Sequence, residues 1–226
     1  MARRGALILL EGVDRCGKST QAKLLAQHLN CTLQNFPDRT TSIGSTINAY
    51  LSNACEMNDQ AIHLLFSANR WELSEKLRDL LNQGTHVVLD RYPSFLPSHI
   101  LMWWLPRYCY SGAAFTAAKE KPGLSLDWCM RPEIGLPRPD VVIFLDISTH
   151  DAAQRAAYGE ERYEKREFQE RVRANFFRIM ETEAAAKAPW HVLDATKSID
   201  ELHASIKAVA TSTIAQVEHT PVRILE

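Results

Sequence analysis

Two spacings of apolar residues alternate along the 226-residue chain. Short strand-like runs, mostly apolar except for the mixed Thr32 to Phe36, stand at Leu7 to Leu10, Thr32 to Phe36, Thr85 to Asp90, Val141 to Asp146 and His191 to Asp194. Such runs fit strands of a parallel sheet buried on both faces. Between them the spacing becomes helical: Ala22, Leu25, Ala26 and Leu29 follow Lys18, and a second helix spans Thr41 to Leu51. Asn58 or Asp59 caps a long helix running to about Asn82, with Gly84 as its stop and Ile62, Leu65, Phe66, Leu73, Leu77, Leu80 and Leu81 as its stripe. Short helices are expected at Gly112 to Lys119, Ser125 to Met130 and Asp151 to Ala157. Phe168, Val172, Phe176 and Ile179 mark a longer one, and Ser198 with Glu201 forms a capping box for a last helix to Val217. Alternating strands and helices predict an α/β protein with a doubly wound parallel sheet. No repeat, low-complexity tract or linker divides it, so one domain over 1–226 is expected.

The chemistry is concentrated where the first apolar run empties into a turn, ALILLEGVDRCGKST. Gly12, Gly17, Lys18 and Ser19 satisfy G-x-x-x-x-G-K-[ST], a loop whose main-chain N–H groups close around phosphates at a helix N-terminus. Gly12, Val13, Asp14, Arg15, Cys16, Gly17, Lys18, Ser19 and Thr20 are therefore the expected nucleotide-binding residues, with Lys18 placed to reach the β- and γ-phosphates. Ser19 is the expected Mg²⁺ ligand, and Asp90, closing the run THVVLD at a strand's carboxyl tip, its partner. Pro37 ends the second run and leaves Arg39 in a loop at the carboxyl edge of the sheet, where open α/β sheets bind ligands. Phe66 and Arg70 stand four apart on one helical face, a ring that stacks on a base beside a guanidinium that reaches a carbonyl edge.

Composition narrows the partners. With 26 Lys plus Arg against 27 Asp plus Glu there is no general field for a polyanion, so nucleic acid is not expected. Cys16, Cys31, Cys55, Cys109 and Cys129 contain no C-x-x-C pair and suit a reducing compartment, cytoplasmic or also nuclear. No run is long enough to cross a bilayer, and the apolar stretch after Arg3 and Arg4 is too short for a signal peptide.

With these residues in place the chain resembles thymidylate kinases of the eukaryotic type. The resemblance rests on GVDRCGKST, FPDRT, LLFSANRWE, VVLDRY, SGAAFTAAKE, SLDWC, GLPRPD, GEERYE and DATKSI, all in the family's order. It implies a three-layer P-loop NTPase fold, helices on both faces of the sheet, a lid at about 155–166, and transfer of the ATP γ-phosphoryl group to dTMP. It further implies that Arg39 holds the acceptor phosphate, Phe66 stacks on thymine and Arg70 reaches a thymine carbonyl. Asp14 is then near the sugar 3′-hydroxyl. Phe36, Ser111, Gly112 and Phe115 belong to the acceptor pocket, and Tyr163 closes over it from the lid. Arg15 becomes a catalytic arginine, Arg155 an adenine neighbour with Arg162 also in the lid, and the enzyme a homodimer through helices within 42–82.

One stretch departs from that pattern. The family passes from its DRY block into SG after about two residues, whereas here Pro93 to Tyr110 intervene, PSFLPSHILMWWLPRYCY. The extra residues read as a tolerated loop, a splice or gene-model variant, or a new binding surface. Arg91 keeps the family's place beside Asp90, and Arg107 keeps its distance to Ser111; Arg91 is taken as the phosphate-binding, catalytic arginine. A chain impaired by the insert that only binds nucleotide, or another nucleoside monophosphate kinase, are the alternatives. A GTPase is disfavoured because no N-K-x-D block is present.

Overall fold

The computed structural model describes residues 3–91, 108–155, 166–185 and 189–226. Five parallel strands form one sheet in the order β2-β3-β1-β4-β5: β1 (Leu7–Glu11), β2 (Thr32–Phe36), β3 (Val87–Arg91), β4 (Val141–Asp146) and β5 (Trp190–Asp194). The helices are α1 (Lys18–Leu29), α2 (Ser42–Leu51), α3 (Asp59–Glu72), α4 (Ser74–Asn82), α5 (Cys109–Ala117), α6 (Leu126–Met130), α7 (Thr149–Gln154), α8 (Arg166–Ala185) and α9 (Ile199–Val217). A short 3₁₀ turn, Arg131–Glu133, follows α6.

The strands split their side chains by parity, as a pleat demands. Leu7, Leu9, Val87, Leu89, Val142 and Phe144 face one core with Leu77 and Leu81 of α4, Ala113 and Phe115 of α5, and Val172 and Phe176 of α8. Ile8, Leu10, Val88, Val141, Ile143 and Leu145 face the other with Ala22 and Leu25 of α1 and Leu202, Ile206 and Ala210 of α9. Each fully buried Leu, Ile or Val side chain contributes roughly 1.5–3 kcal/mol. Both faces are covered, so the expected doubly wound sheet is the fold observed. A smaller cluster, Ile47, Tyr50, Leu51 and Ile62, joins α2 to α3 away from the sheet.

The expected helix to Asn82 is two helices. Leu73 closes α3 with a bond from its N–H to the Arg70 carbonyl, one residue tighter than the α-helical step. The break lets α3 bury His63, Asn69 and Arg70 while α4 turns Leu77 and Leu81 onto the sheet. Asn58 is the cap, its side chain accepting from the N–H groups of Gln60 and Ala61. Two further boundaries move: α5 starts at Cys109 rather than Gly112, and α7 starts at Thr149 and ends by Gln154. Residues 93–107 of the extra stretch, with Arg107, lie outside the described residues, as do Tyr92, and Arg162 and Tyr163 of the expected lid.

Candidate nucleotide and acceptor site

The loop between β1 and α1 is wound tightly enough that Gly12 and Gly17 take φ of 144° and 96°. A Cβ on Gly12 would meet the Leu145 carbonyl oxygen at 2.6 Å and Cys16 Sγ at 2.8 Å, so no larger residue fits there. Lys18, only 3% exposed, folds its amine back over the loop. Nζ donates to the carbonyl oxygens of Gly12, at 2.8 Å, and Val13, and lies 3.2 Å from Cys16 Sγ. The ammonium is thereby held against the carbonyl side of the loop between β1 and α1. Ser19, in the first turn of α1, is half-buried.

A second set of contacts ties this loop to the donor side. Arg15, in the left-handed region at φ 64°, points Nη1 at the Arg155 carbonyl, 3.3 Å away. Arg155 donates in return from Nη1 to the Arg15 carbonyl at 3.4 Å and from Nη2 to the Ala195 carbonyl at 2.6 Å. Ala195 is itself fixed by its N–H to the Asp146 carbonyl at 2.8 Å. The phosphate loop, the end of α7 and the turn after β5 thus meet at two guanidinium groups.

The opposite side is built from polar side chains sunk in the protein. Glu11, the last residue of β1 and 1% exposed, accepts from both the N–H and the hydroxyl of Ser111, at 3.1 and 2.8 Å. That bond seats the first turn of α5 against the phosphate loop. Asp14 exchanges two hydrogen bonds with Gln169 of α8, 3.1 Å from its N–H and 2.7 Å to its carboxylate. Asn69, with no exposed surface, accepts from the Asp38 N–H at 2.7 Å and donates to the Asp38 carbonyl, Thr41 and Glu72. The loop that carries Arg39 is therefore pinned to α3. Phe66, half-buried, packs on the α2–α3 cluster.

One turn beyond Phe66, Arg70 is 1% exposed and forms a fork with Glu133, 0% exposed, at 2.7 Å from Nε and 2.5 Å from Nη2. Burial alone would lower the Arg70 pKa, but the Glu133 charge and its hydrogen bonds hold the guanidinium above its ordinary value. Behind it His63 is bonded to the Cys129 carbonyl through Nε2 and to the Thr116 hydroxyl through Nδ1, at 2.9 and 3.0 Å. The carbonyl can only accept, so Nε2 carries the hydrogen. Burial first, and Arg70 second, depress this imidazole to about 4.

A family model described as thymidylate kinase matches residues 10–94 and 105–206. The chain belongs to the thymidylate kinase family. It is 43% identical to the thymidylate kinase of Danio rerio over 225 residues, covering 97% of this chain and 96% of that one. The identity to the Schizosaccharomyces pombe thymidylate kinase is 46% over 208 residues, 90% of each. Among solved structures, the thymidylate kinase from Candida albicans aligns with a TM-score of 0.83 and 36% identity, covering 100% of both chains.

Within this thymidylate kinase fold the expected residues fall into three groups. Gly12, Val13, Cys16 and Lys18 come together in the phosphate loop, Arg15 with Arg155 beside it, and Arg70 with Gly112 between α3 and α5. Asp90 and Arg91 end β3, in register with Asn35 and Phe36 of β2. Phe36 and Phe115 are buried, 1% and 0% exposed, Phe36 beside Tyr108 and Phe115 beside Phe168. Sequence reasoning assigned no role to Glu11, His63, Asn69, Glu133 or Gln169. Glu11 carried a signal, a carboxylate inside an otherwise apolar strand; the others had none, because their partners, the Glu72 neighbour of Asn69 apart, lie 28 to 155 residues away.

Proposed function

We propose that the chain transfers the γ-phosphoryl group of ATP to the phosphate of dTMP, giving dTDP and ADP. The observation that carries this reading is the Ser111–Glu11 bond, which couples the phosphate loop to the helix that flanks Arg70. Donor and acceptor are then brought together on one rigid strand end, and phosphoryl transfer between two anions is mostly positioning and charge neutralisation. Lys18 and Arg15 supply positive charge on the donor side, Arg39 and Arg91 on the acceptor side. Phe66 takes the pyrimidine face, and Asp14, oriented by Gln169, takes the sugar hydroxyl. Tyr163 and the lid close over the acceptor and exclude water.

Mg²⁺ belongs to this reading. Among the described residues no group of three or more His, Cys, Asp or Glu side chains could hold a metal. Mg²⁺ is bound by one or two protein oxygens together with phosphates, here the Ser19 hydroxyl and Asp90. When bound, it neutralises charge on the β- and γ-phosphates.

Three further assignments accompany the activity. Residues 93–110 are read as an insertion in the family pattern; the unmatched residues 95–104 between the two aligned segments support an insertion within that stretch. A homodimer forms through α3, supported by exposed Leu64 and Trp71, 48% and 39% accessible on one face of that helix. The protein works in the cytoplasm or nucleus, supported by five cysteines that are all free thiols. It engages neither nucleic acid nor membrane, in keeping with its balanced charge.

The test is ADP release with ATP and dTMP, dCMP or AMP as acceptor. Turnover with dTMP well above the other two is expected. Equal turnover with all three would overturn the acceptor assignment.

A further inference from the structure

The face that α1 turns to α9 carries two imidazoles that the phosphoryl-transfer reading does not use. Gln21 and His28 stand seven residues apart on α1, about two helical turns, and therefore on one side of it. His203, near the start of α9, meets both. Its Nδ1 lies 3.1 Å from Gln21 Oε1, and its ring stands edge-on to that of His28, the centroids 6.3 Å apart with an interplanar angle of 88°. His203 is half-buried and His28 exposed, so the pair opens to solvent along the seam between the helices.

The tautomer of His203 is set by its neighbours. Gln21, 1% exposed, donates from Nε2 to the Ile199 carbonyl at 2.9 Å. A carbonyl can only accept, so the amide oxygen of Gln21 is the atom turned to His203. That oxygen also only accepts, which puts the ring hydrogen on Nδ1 and leaves a lone pair on Nε2, on the far side of the ring from Gln21. Metal-binding histidines are held in the same way: one ring nitrogen donates to an anchored oxygen, and the other is left as the base. Burial first, then Lys207 and His28, hold this imidazole below its ordinary pKa against the opposing Asp200, so it is neutral at physiological pH.

The surrounding charges divide. Lys207, one turn after His203 on α9, opposes a cation, whereas Asp200 favours one. The end of α1 favours one too, because His28 stands in its last turn, where unpaired carbonyls carry partial negative charge. Imidazole nitrogen suits Zn²⁺, Ni²⁺ and Cu²⁺ better than Mg²⁺. With metal–nitrogen bonds of about 2.0–2.1 Å, two rings on one ion have centroids about 5–6 Å apart, so a small turn of the exposed His28 ring closes the pair. Among the described residues no group of three or more His, Cys, Asp or Glu forms, so water completes the coordination and the ion exchanges freely.

We propose that His28 and His203 form a two-histidine site for a first-row transition-metal dication, which on binding staples α1 to α9. The site lies nine residues along α1 from Ser19, about 13–14 Å by the helical rise. It is therefore separate from the Mg²⁺ position and independent of the kinase reading.

The experiment uses the full-length chain without an affinity tag, and its His28→Gln and His203→Gln variants, all free of nucleotide. Ni²⁺ is the probe, because it prefers imidazole and does not oxidise the five free thiols as Cu²⁺ would. Equilibrium dialysis against NiCl₂ should find one ion fewer on each variant than on the wild type. The wild-type thermal midpoint should rise about 3–6 °C with Ni²⁺ tenfold above half-saturation. MgCl₂ at the same concentration should give no shift, and both variants should lose most of the Ni²⁺ shift. His28→Gln, at an exposed position, keeps the test readable should His203→Gln fail to fold. The proposal is overturned if wild type and His28→Gln bind equal numbers of ions, which would place Ni²⁺ on the thiols or the phosphate loop. It is equally overturned if the wild-type midpoint does not rise, or rises as far in His28→Gln.

Discussion

The two halves of the site are built by opposite means. At Lys18 the contacts join residues two to six apart, its amine reaching back to Gly12, Val13 and Cys16. On the acceptor side they join residues 63 apart for Arg70–Glu133 and 100 apart for Ser111–Glu11. A phosphate presents the same oxygens wherever it occurs, so a short loop of main-chain amides suffices to bind it. A base must be told from its neighbours by side chains at fixed positions, and fixed positions inside a protein need partners from several elements.

That contrast can be broken in three places. The largest effect is expected for Lys18→Met, which removes the amine from a loop that keeps its shape through its own backbone. Turnover of dTMP in the ADP-release assay should fall about 10²–10³-fold, while the melting temperature changes little. A large loss of stability would mean that the loop depends on Lys18 more than its local contacts indicate.

The next is a pH effect on stability. His63 ionises at about 4 in the folded protein against an ordinary value of 6.5. Between these values the unfolded chain holds the extra proton, so stability declines as pH falls from about 6.5 towards about 4 and His63 has no such effect above it. The deficit reaches about 3 kcal/mol at the acid end. Glu- or Asp-driven acid effects persist in His63→Gln, but its urea midpoints should fall less steeply over this window. Parallel midpoints for the two proteins would show that the imidazole is not held neutral by the α3–α5–α6 packing.

The smallest is Asn69→Ala. It strips four hydrogen bonds from the junction between α3 and the Arg39 loop and should cost about 1–3 kcal/mol in stability. The KM for dTMP should rise several-fold with that for ATP unmoved. An equal rise for both substrates would mean that the loop serves the whole site rather than its acceptor half.

The same division marks what could be read in advance. Strands, the phosphate loop and the helix caps at Asn58 and Ser198 were legible because each depends on neighbours within a few positions: a capping side chain, a glycine at positive φ. Phe66 and Arg70 were legible as one face of one helix. The break at Leu73 was not, because the apolar stripe continues across it and only the separate targets of α3 and α4 divide it. Nor was the partner of Arg70 visible, since nothing around Glu133 distinguishes it from a surface carboxylate in a proline-containing turn.

By itself, then, the amino-acid order determined the sheet, the tight loop between β1 and α1 and the kinship of the chain. Only the folded structure decided which carboxylate neutralises Arg70, which amide orients Asp14 and which strand end anchors α5. The reason is physical: an uncompensated charge or polar group excluded from water is costly, and whether a given residue is excluded, and what meets it there, depends on elements far away in the chain.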